Sequence, residues 1–553
     1  MIASVMSALS YRRFRLACRS PLRAQAAQLR RVLACAAHTE LGRRHDFARM
    51  ARIRDAIPMI RAFQAEVPVR AYGAMKSELD AVYAGEWQTM CPSRPLWFAM
   101  TAGSSGEYKY VPVTPEYRRD VGRSSLIFQG ALESAFPELR RLKTQFLVGS
   151  AEGGLSPGGI PQGFASGFNY KNLPAFVRRR FVLPYWVFTL DDAEERAYAA
   201  ARILCADRRL GVLCAISPVN LINLREAMER NAERLLTDIE AGTLTVRGQA
   251  GVPGSWSGDP DPATAASLRC ALRRTGSLPT RQLFPALRVL VCWQGGNMSY
   301  YLQELREAYG IERCFEFPIS ASEGVFAIPF RANRAGGALA VTTHFLEFLP
   351  DDSAASEPDA YRADELEVGR DYRVVVTNSA GLYRYDMEDI VRVTSFLHRT
   401  PVIEFISKKG RQVSVSNERL TERDVTLAMQ EASRRCGCWF PEFLFVPCSD
   451  RRYRLILDGA GAGATSDADE GMLALAAEVE RQLRVTAKGY DFEREDDLLA
   501  PVQVVVTAPG QLREFLARRQ LRGSLPNAQI KPLHLTNDFD AHRAFITAVT
   551  YAA

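Results

Sequence analysis

The chain has 553 residues, 47% hydrophobic and 24% charged, a globular balance at a length beyond one hydrophobic core, so at least two domains are expected. Its formal charge of +7 is slight for that length and comes without a dense basic run or aromatic-basic interleaving, which excludes a dedicated nucleic-acid binder. Apolar runs are strand-sized rather than the roughly 20 residues that cross a bilayer, and eleven cysteines without paired metal-like spacing read as buried thiols of a reducing cytoplasm. A cytoplasmic monomer with no membrane and no nucleic-acid partner is the expectation.

The opening MIASVMSALSYRRFRLACRS is basic, but Arg12, Arg13, Arg15 and Arg19 interrupt the apolar core that a secretory signal needs. Apolar and Arg positions recur at helical spacing, so an amphipathic helix is expected there rather than a transit or membrane-surface segment. Helical periodicity continues through roughly residues 20–90. A short apolar strand, a small-residue loop and a second strand follow in TMCPSRPLWFAMTAGSSGEYKYVPVT. The Gly-rich stretch 146–170 predicts a long irregular connection. From Asn220 as N-cap, with Leu224, Met228, Leu235 and Ile239 on one face and Gly242 past the end, the spacing predicts a single helix. LFPALRVLVCWQGG predicts a buried strand entering a Gly turn, then the helix SYYLQELREAYG. Residues 338–406 are β-rich, and beyond Ser407 helices at about 421–435 and 469–487 alternate with strands at 452–457 and 502–506. The fold class is therefore α/β, with mixed sheets and flanking helices in a large domain 1–406 and a small α+β domain 407–553.

Lysine usage sharpens the search. Of 70 Lys and Arg only eight are lysine, so Lys survives where a compact point charge is needed that a planar guanidinium does not replace. Lys109 closes the run Thr101-Ala-Gly-Ser-Ser-Gly-Glu-Tyr-Lys109, whose small residues let backbone N–H groups approach phosphate oxygens; a bare Gly/Ser turn is the alternative. Ser320-Ala321-Ser322-Glu323-Gly324 sets a carboxylate on a tight turn, able to hold Mg²⁺ or simply to face solvent. Asp389, after Gly381-Leu-Tyr-Arg-Tyr385, suits two ribose hydroxyls or a pairing with Arg392. Lys531 precedes a proline near the end of the chain, where a surface lysine is the alternative. His45, His344 and His534 read as structural.

The order of these segments resembles the adenylate-forming superfamily. The wording of residues 38–535 resembles one branch, the auxin-responsive-promoter (Gretchen Hagen) acyl-acid amido synthetases. The resemblance is carried by HTELGRRHDF, TAGSSGEYKYVPVT, LCAISPVNLINL, PALRVLVCWQGGNMSYYLQEL, SASEGVFAIP, HFLEFLP, GLYRYDMEDIVRVTSF with PVIEFISKKG, YDFERED and AQIKPLHL. It implies an AMP-forming ligase that uses ATP and Mg²⁺ to join a small carboxylic acid to an amine, usually an amino acid. Its large domain would bind ATP and acid, and its small domain would rotate between half-reactions. Ser104, Ser105, Gly106 and Lys109 would face the phosphates. Ser320, Ala321, Ser322 and Lys408 would lie by the nucleotide, with Glu323 also at the metal, Asp389 at the ribose and Lys531 inserting during adenylation. The chain departs from the family in Ala102, in Tyr108, in a phosphate loop about one residue shorter and in the Ser-Lys-Lys of the hinge. An acid:CoA ligase and a non-catalytic carboxylate binder are the rival readings.

Overall fold

The structure, a computed structural model, describes residues 2–102, 108–247, 256–351, 360–409, 412–459, 468–521, 532–545 and 549–552. Their arrangement follows from where apolar side chains can be buried. Four strands, Lys143–Phe146, Leu210–Cys214, Val289–Cys292 and Cys314–Glu316, pair in parallel in that order. LGVLC and VLVC are buried at every position, as a sheet covered on both faces requires. Eight further strands form a largely antiparallel sheet ordered Tyr361–Arg362, Phe345–Pro350, Asp371–Thr377, Tyr385–Leu397, Thr400–Lys408, Gly337–Leu339, Gly324–Ile328 and Ile319–Ala321. A three-stranded sheet pairs Trp97–Ala102 with Tyr108–Val113 and Gln162–Gly163.

The described residues divide into two compact units. Of the described residues, those within 2–294 and 302–404 form the first, and those within 295–301, 405–521 and 532–552 the second. In the first, the helices Pro21–Ala36 and Pro115–Ala135 join the strands of the eight-stranded sheet in one core containing Leu29, Leu33, Phe63, Ile127, Phe348 and Val376. In the second, a four-stranded sheet ordered Phe443–Cys448, Arg452–Leu457, Gln503–Val506 and Val549–Ala552 accompanies the helices Glu422–Cys436 and Ala468–Thr486. Thr421 and Asp424 cap the first of those helices reciprocally, and Gly437 ends it at φ 64°, a conformation that a Cβ would strain.

Two expectations are corrected. The helix expected from Asn220 is two helices, Pro218–Arg230 and Ala232–Ala241, and its cap is Ser217. Asn231 divides them, with its amide donating to Ala227 O (3.0 Å) and to Glu194 Oε1 (2.7 Å). The helix expected over SYYLQELREAYG begins as the 3₁₀ turn Gly296–Tyr301, and only Leu302–Tyr309 is α-helical. Tyr300 stacks on Trp439 at 4.1 Å and donates to Phe440 O, and those partners lie far along the chain. Among the described residues no helix is long and apolar enough to cross a membrane, and all eleven cysteines are free.

Candidate functional site in the first unit

The Ser-Glu-Gly segment is the tip of a hairpin. Ala321 pairs with Gly324 across the strands, so Ser322 and Glu323 form a two-residue turn. Buried side chains hold both of its carbonyls. Tyr117 donates from its hydroxyl to Ser322 O at 2.6 Å, and Asn378 donates from Nδ2 to Glu323 O at 2.7 Å. Tyr117 is placed by Thr114, whose hydroxyl caps the helix Pro115–Ala135 and also donates to Ser379 O. Asn378 accepts from Ala380 N and Leu382 N, which ties the Ser-Ala-Gly turn to the Ser-Glu turn. Behind the hairpin His344 stacks on Tyr117 at 5.7 Å, and a Cβ on residue 324 would lie 2.7 Å from its ring, so this position requires glycine. The Glu323 side chain is 7% exposed, a carboxylate held largely out of water.

Asp389 sits on an irregularity of the neighbouring strand pair. Arg373 faces Ile390 and Val375 faces Asp386, so Met387, Glu388 and Asp389 together oppose the single residue Val374. Such bulges re-aim side chains and recur beside active sites. This one is pinned by Glu388 at φ 59°, whose N–H donates to Asp386 Oδ1 at 2.8 Å. Arg392 donates two bonds, of 2.6 and 2.7 Å, to Asp371. Arg384 of the Tyr-Arg-Tyr segment is a buried framework residue bound to Glu347, Gln64 O and Val67 O.

One electrostatic neighbourhood joins these pieces. Burial first, then the charges of Glu323, Glu388 and Asp389 and the nearby Tyr72, push the Tyr385 hydroxyl far above its ordinary range. Burial and then Glu323 do the same to Tyr117. The Lys109 ammonium lies over the Tyr72 ring at 4.8 Å, on the strand that follows the small-residue loop, where Lys109 faces Thr101. Glu323, Asp389 and Lys109, read from separate stretches of sequence, thus share a neighbourhood around Tyr385 and Tyr72. Ser320 and Ser322 are half-buried and Ala321 is exposed on the same hairpin.

Ser104, Ser105, Gly106 and Lys531 lie outside the described residues. Lys408 ends the strand Thr400–Lys408 within the second unit. Burial lowers His344 to about 3 and His534 to about 4, so both rings are neutral. His534 stacks on Phe443 at 4.0 Å and meets the Tyr301 hydroxyl at 3.2 Å. Sequence reasoning missed Tyr117, Asn378 and the place of His344 at the hairpin. The helix start Thr-Pro-Glu and the turn-forming Asn-Ser-Ala-Gly were the signals for the first two, and none marked the third.

The fold is shared with a solved GH3.15 acyl acid amido synthetase, with a TM-score of 0.81 over 96% of this chain and 95% of that one at 19% identity. That likeness is one of fold, a mixed α/β architecture with a large and a smaller domain. Residues 10–313 match the GH3 family N-terminal domain and residues 337–408 the GH3 family central domain, and the chain belongs to the GH3 family of amide-forming acyl-acid amido synthetases. Among its curated relatives, the indole-3-acetic acid-amido synthetase GH3.8 of Oryza sativa subsp. indica is 25% identical over 86% of this chain and 83% of its own length. The jasmonoyl–L-amino acid synthetase JAR4 of Nicotiana attenuata is 23% identical over 68% of each chain.

Proposed function

We propose that this ligase uses ATP to activate a small carboxylic acid as an acyl adenylate and then passes the acyl group to an amine, an amino acid by analogy with the named relatives. The observation that carries the reading is the match of residues 10–313 and 337–408 to the family's domains, supported by Glu323 on its held hairpin and Asp389 on its bulge. A free carboxylate does not condense with an amine at a useful rate, because hydroxide leaves poorly. When a carboxylate oxygen attacks the α-phosphorus, an acyl–phosphate bond forms and the bond to pyrophosphate breaks. The neutral amine then attacks the acyl carbon, a proton is lost and AMP departs.

In this reading Asp389 accepts from the ribose hydroxyls, and its bulge sets their register. Lys109 and the loop with Ser104, Ser105 and Gly106 face the phosphates, Ser320, Ala321 and Ser322 lie along the nucleotide with Lys408, and Lys531 neutralises charge as pyrophosphate leaves. Among the described residues no three His, Cys, Asp or Glu side chains gather into a metal-sized group. Mg²⁺ would take one protein carboxylate, Glu323, together with phosphate oxygens and water. When bound, the ion neutralises phosphate charge. Residues 1–406 act as the ATP- and acid-binding domain and 407–553 as a mobile domain, working in the cytoplasm, where ATP and amino acids are supplied.

The test is an acid-dependent ATP–pyrophosphate exchange screen followed by an amine screen on the best acid. AMP and pyrophosphate are the expected products. ADP as the stoichiometric product, or a thioester formed with coenzyme A in place of an amide, overturns the proposal.

A further inference from the structure

The opening helix Ile2–Ala17 presses one face inward so closely that a Cβ on Gly130 would lie 2.3 Å from Ser7 O and 2.7 Å from Tyr11 Cβ. Ser7, Phe14 and Cys18 are buried on that side, which fixes the rotation of the helix. What faces outward is apolar. Val5 is 54%, Leu9 49% and Leu16 52% exposed, with Met6 beside them, and the spacings i, i+4 and i+11 put the first three along one line. Arg12, Arg15 and Arg19 flank that line on one side and Arg13 on the other. The helix contains no acidic residue.

Arg12, Arg15 and Arg19 also line a cavity of about 410 Å³ together with Arg140 and His398. None of these four arginines has an ion-pair partner among the described residues. The cavity's own carboxylate, Glu133, is bound to Arg180 at 2.6 Å and accepts from Gln129. Phe396, exposed two residues before His398, adds a further apolar group at the same end.

We infer that the outward face of Ile2–Ala17 docks this protein on an anionic lipid surface. A soluble polyanion would use the arginines and leave the apolar line unexplained. A bilayer takes both, with Val5, Leu9 and Leu16 at the edge of the acyl chains and the arginines reaching the phosphates. The inference takes up the membrane-surface helix that was the alternative in the sequence, against the expectation of no membrane partner.

Co-sedimentation of the full chain with vesicles of phosphatidylcholine, alone or mixed with phosphatidylglycerol, tests the inference. Binding is expected only to the mixed vesicles and should weaken with added salt. The triple variant Arg12→Gln, Arg15→Gln, Arg19→Gln should bind about 100-fold more weakly, at roughly fivefold per arginine, while the matching Arg→Lys variant retains binding. Leu9→Gln with Leu16→Gln should also weaken binding, and pyrophosphate exchange should be unchanged in all of them. Failure to bind mixed vesicles overturns the inference. So does binding that inorganic polyphosphate competes away and that Leu9→Gln with Leu16→Gln leaves intact, or a dimer that the leucine variants dissociate in place of vesicle binding.

Discussion

Asp389 owes its position to a strand that supplies three residues where its neighbour supplies one. A sequence shows an aspartate after an aromatic run. It does not show that Glu388 takes a left-handed conformation, because that depends on register with Asp371–Thr377. The rival reading is a pairing with Arg392, whose guanidinium also donates two bonds to Asp371, a partner distant in the chain that the sequence does not announce. Asp389→Ala is expected to raise the ATP concentration for half-maximal pyrophosphate exchange about 10²-fold. Charge-assisted bonds to ribose, worth roughly 1.5–3 kcal/mol each, would be lost. The melting temperature should hardly move, because the bond from Glu388 N–H to Asp386 remains to pin the bulge. Unchanged ATP affinity would show that the aspartate serves the sheet alone.

At the scale of elements, periodicity made the buried parallel strands and the helices of the second unit readable, since one face or both faces of each are apolar. It failed at Asn231 and Tyr300, where a single polar or aromatic side chain finds distant partners that no local pattern announces. The carboxylate hairpin is a third case. Gly324 reads as a turn glycine, yet what requires it is the His344 ring, whose two nitrogens are buried with no hydrogen-bond partner among the described residues. Gly324→Ala is expected to destabilise the fold by about 1–3 kcal/mol through overpacking. Because the clash is with one ring, Gly324→Ala combined with His344→Ala should be less destabilised than the sum of the single variants, by roughly 0.5–3 kcal/mol in denaturant unfolding. Strict additivity would show that another neighbour excludes the methyl group.

For the whole molecule, buried titratable groups set the pH dependence of stability. Burial lowers His344 to about 3 and His534 to about 4, so below pH 6.5 the unfolded chain takes up protons that the folded chain refuses. Stability then falls by about 1.4 kcal/mol per pH unit for each ring. Glu316 has the opposite sign. Burial pushes its carboxyl well above 4.5, so the unfolded chain alone releases a proton as pH rises. Two rings against one carboxyl leave stability rising toward about pH 6.5, more gently than the rings alone would make it. Glu316→Gln, which mimics the protonated group, should steepen that rise in melting-temperature profiles. A profile that it leaves unaltered would mean that Glu316 ionises when folded. The proposed function, at this scale, turns on Lys531, far along the chain from residues 103–107. If the second domain closes for adenylation and rotates to admit the amine, Lys531 acts in the first half-reaction only. Lys531→Ala should reduce pyrophosphate exchange by about 10²–10³-fold, the usual loss for one charge stabiliser, yet convert pre-formed acyl adenylate and amine to amide at a near-normal rate. Lys531→Arg should rescue exchange poorly, since a planar guanidinium is broader than the ammonium it replaces. Equal loss in both half-reactions would assign Lys531 to the fold or to both conformers, and the rotating-domain account would fall with it.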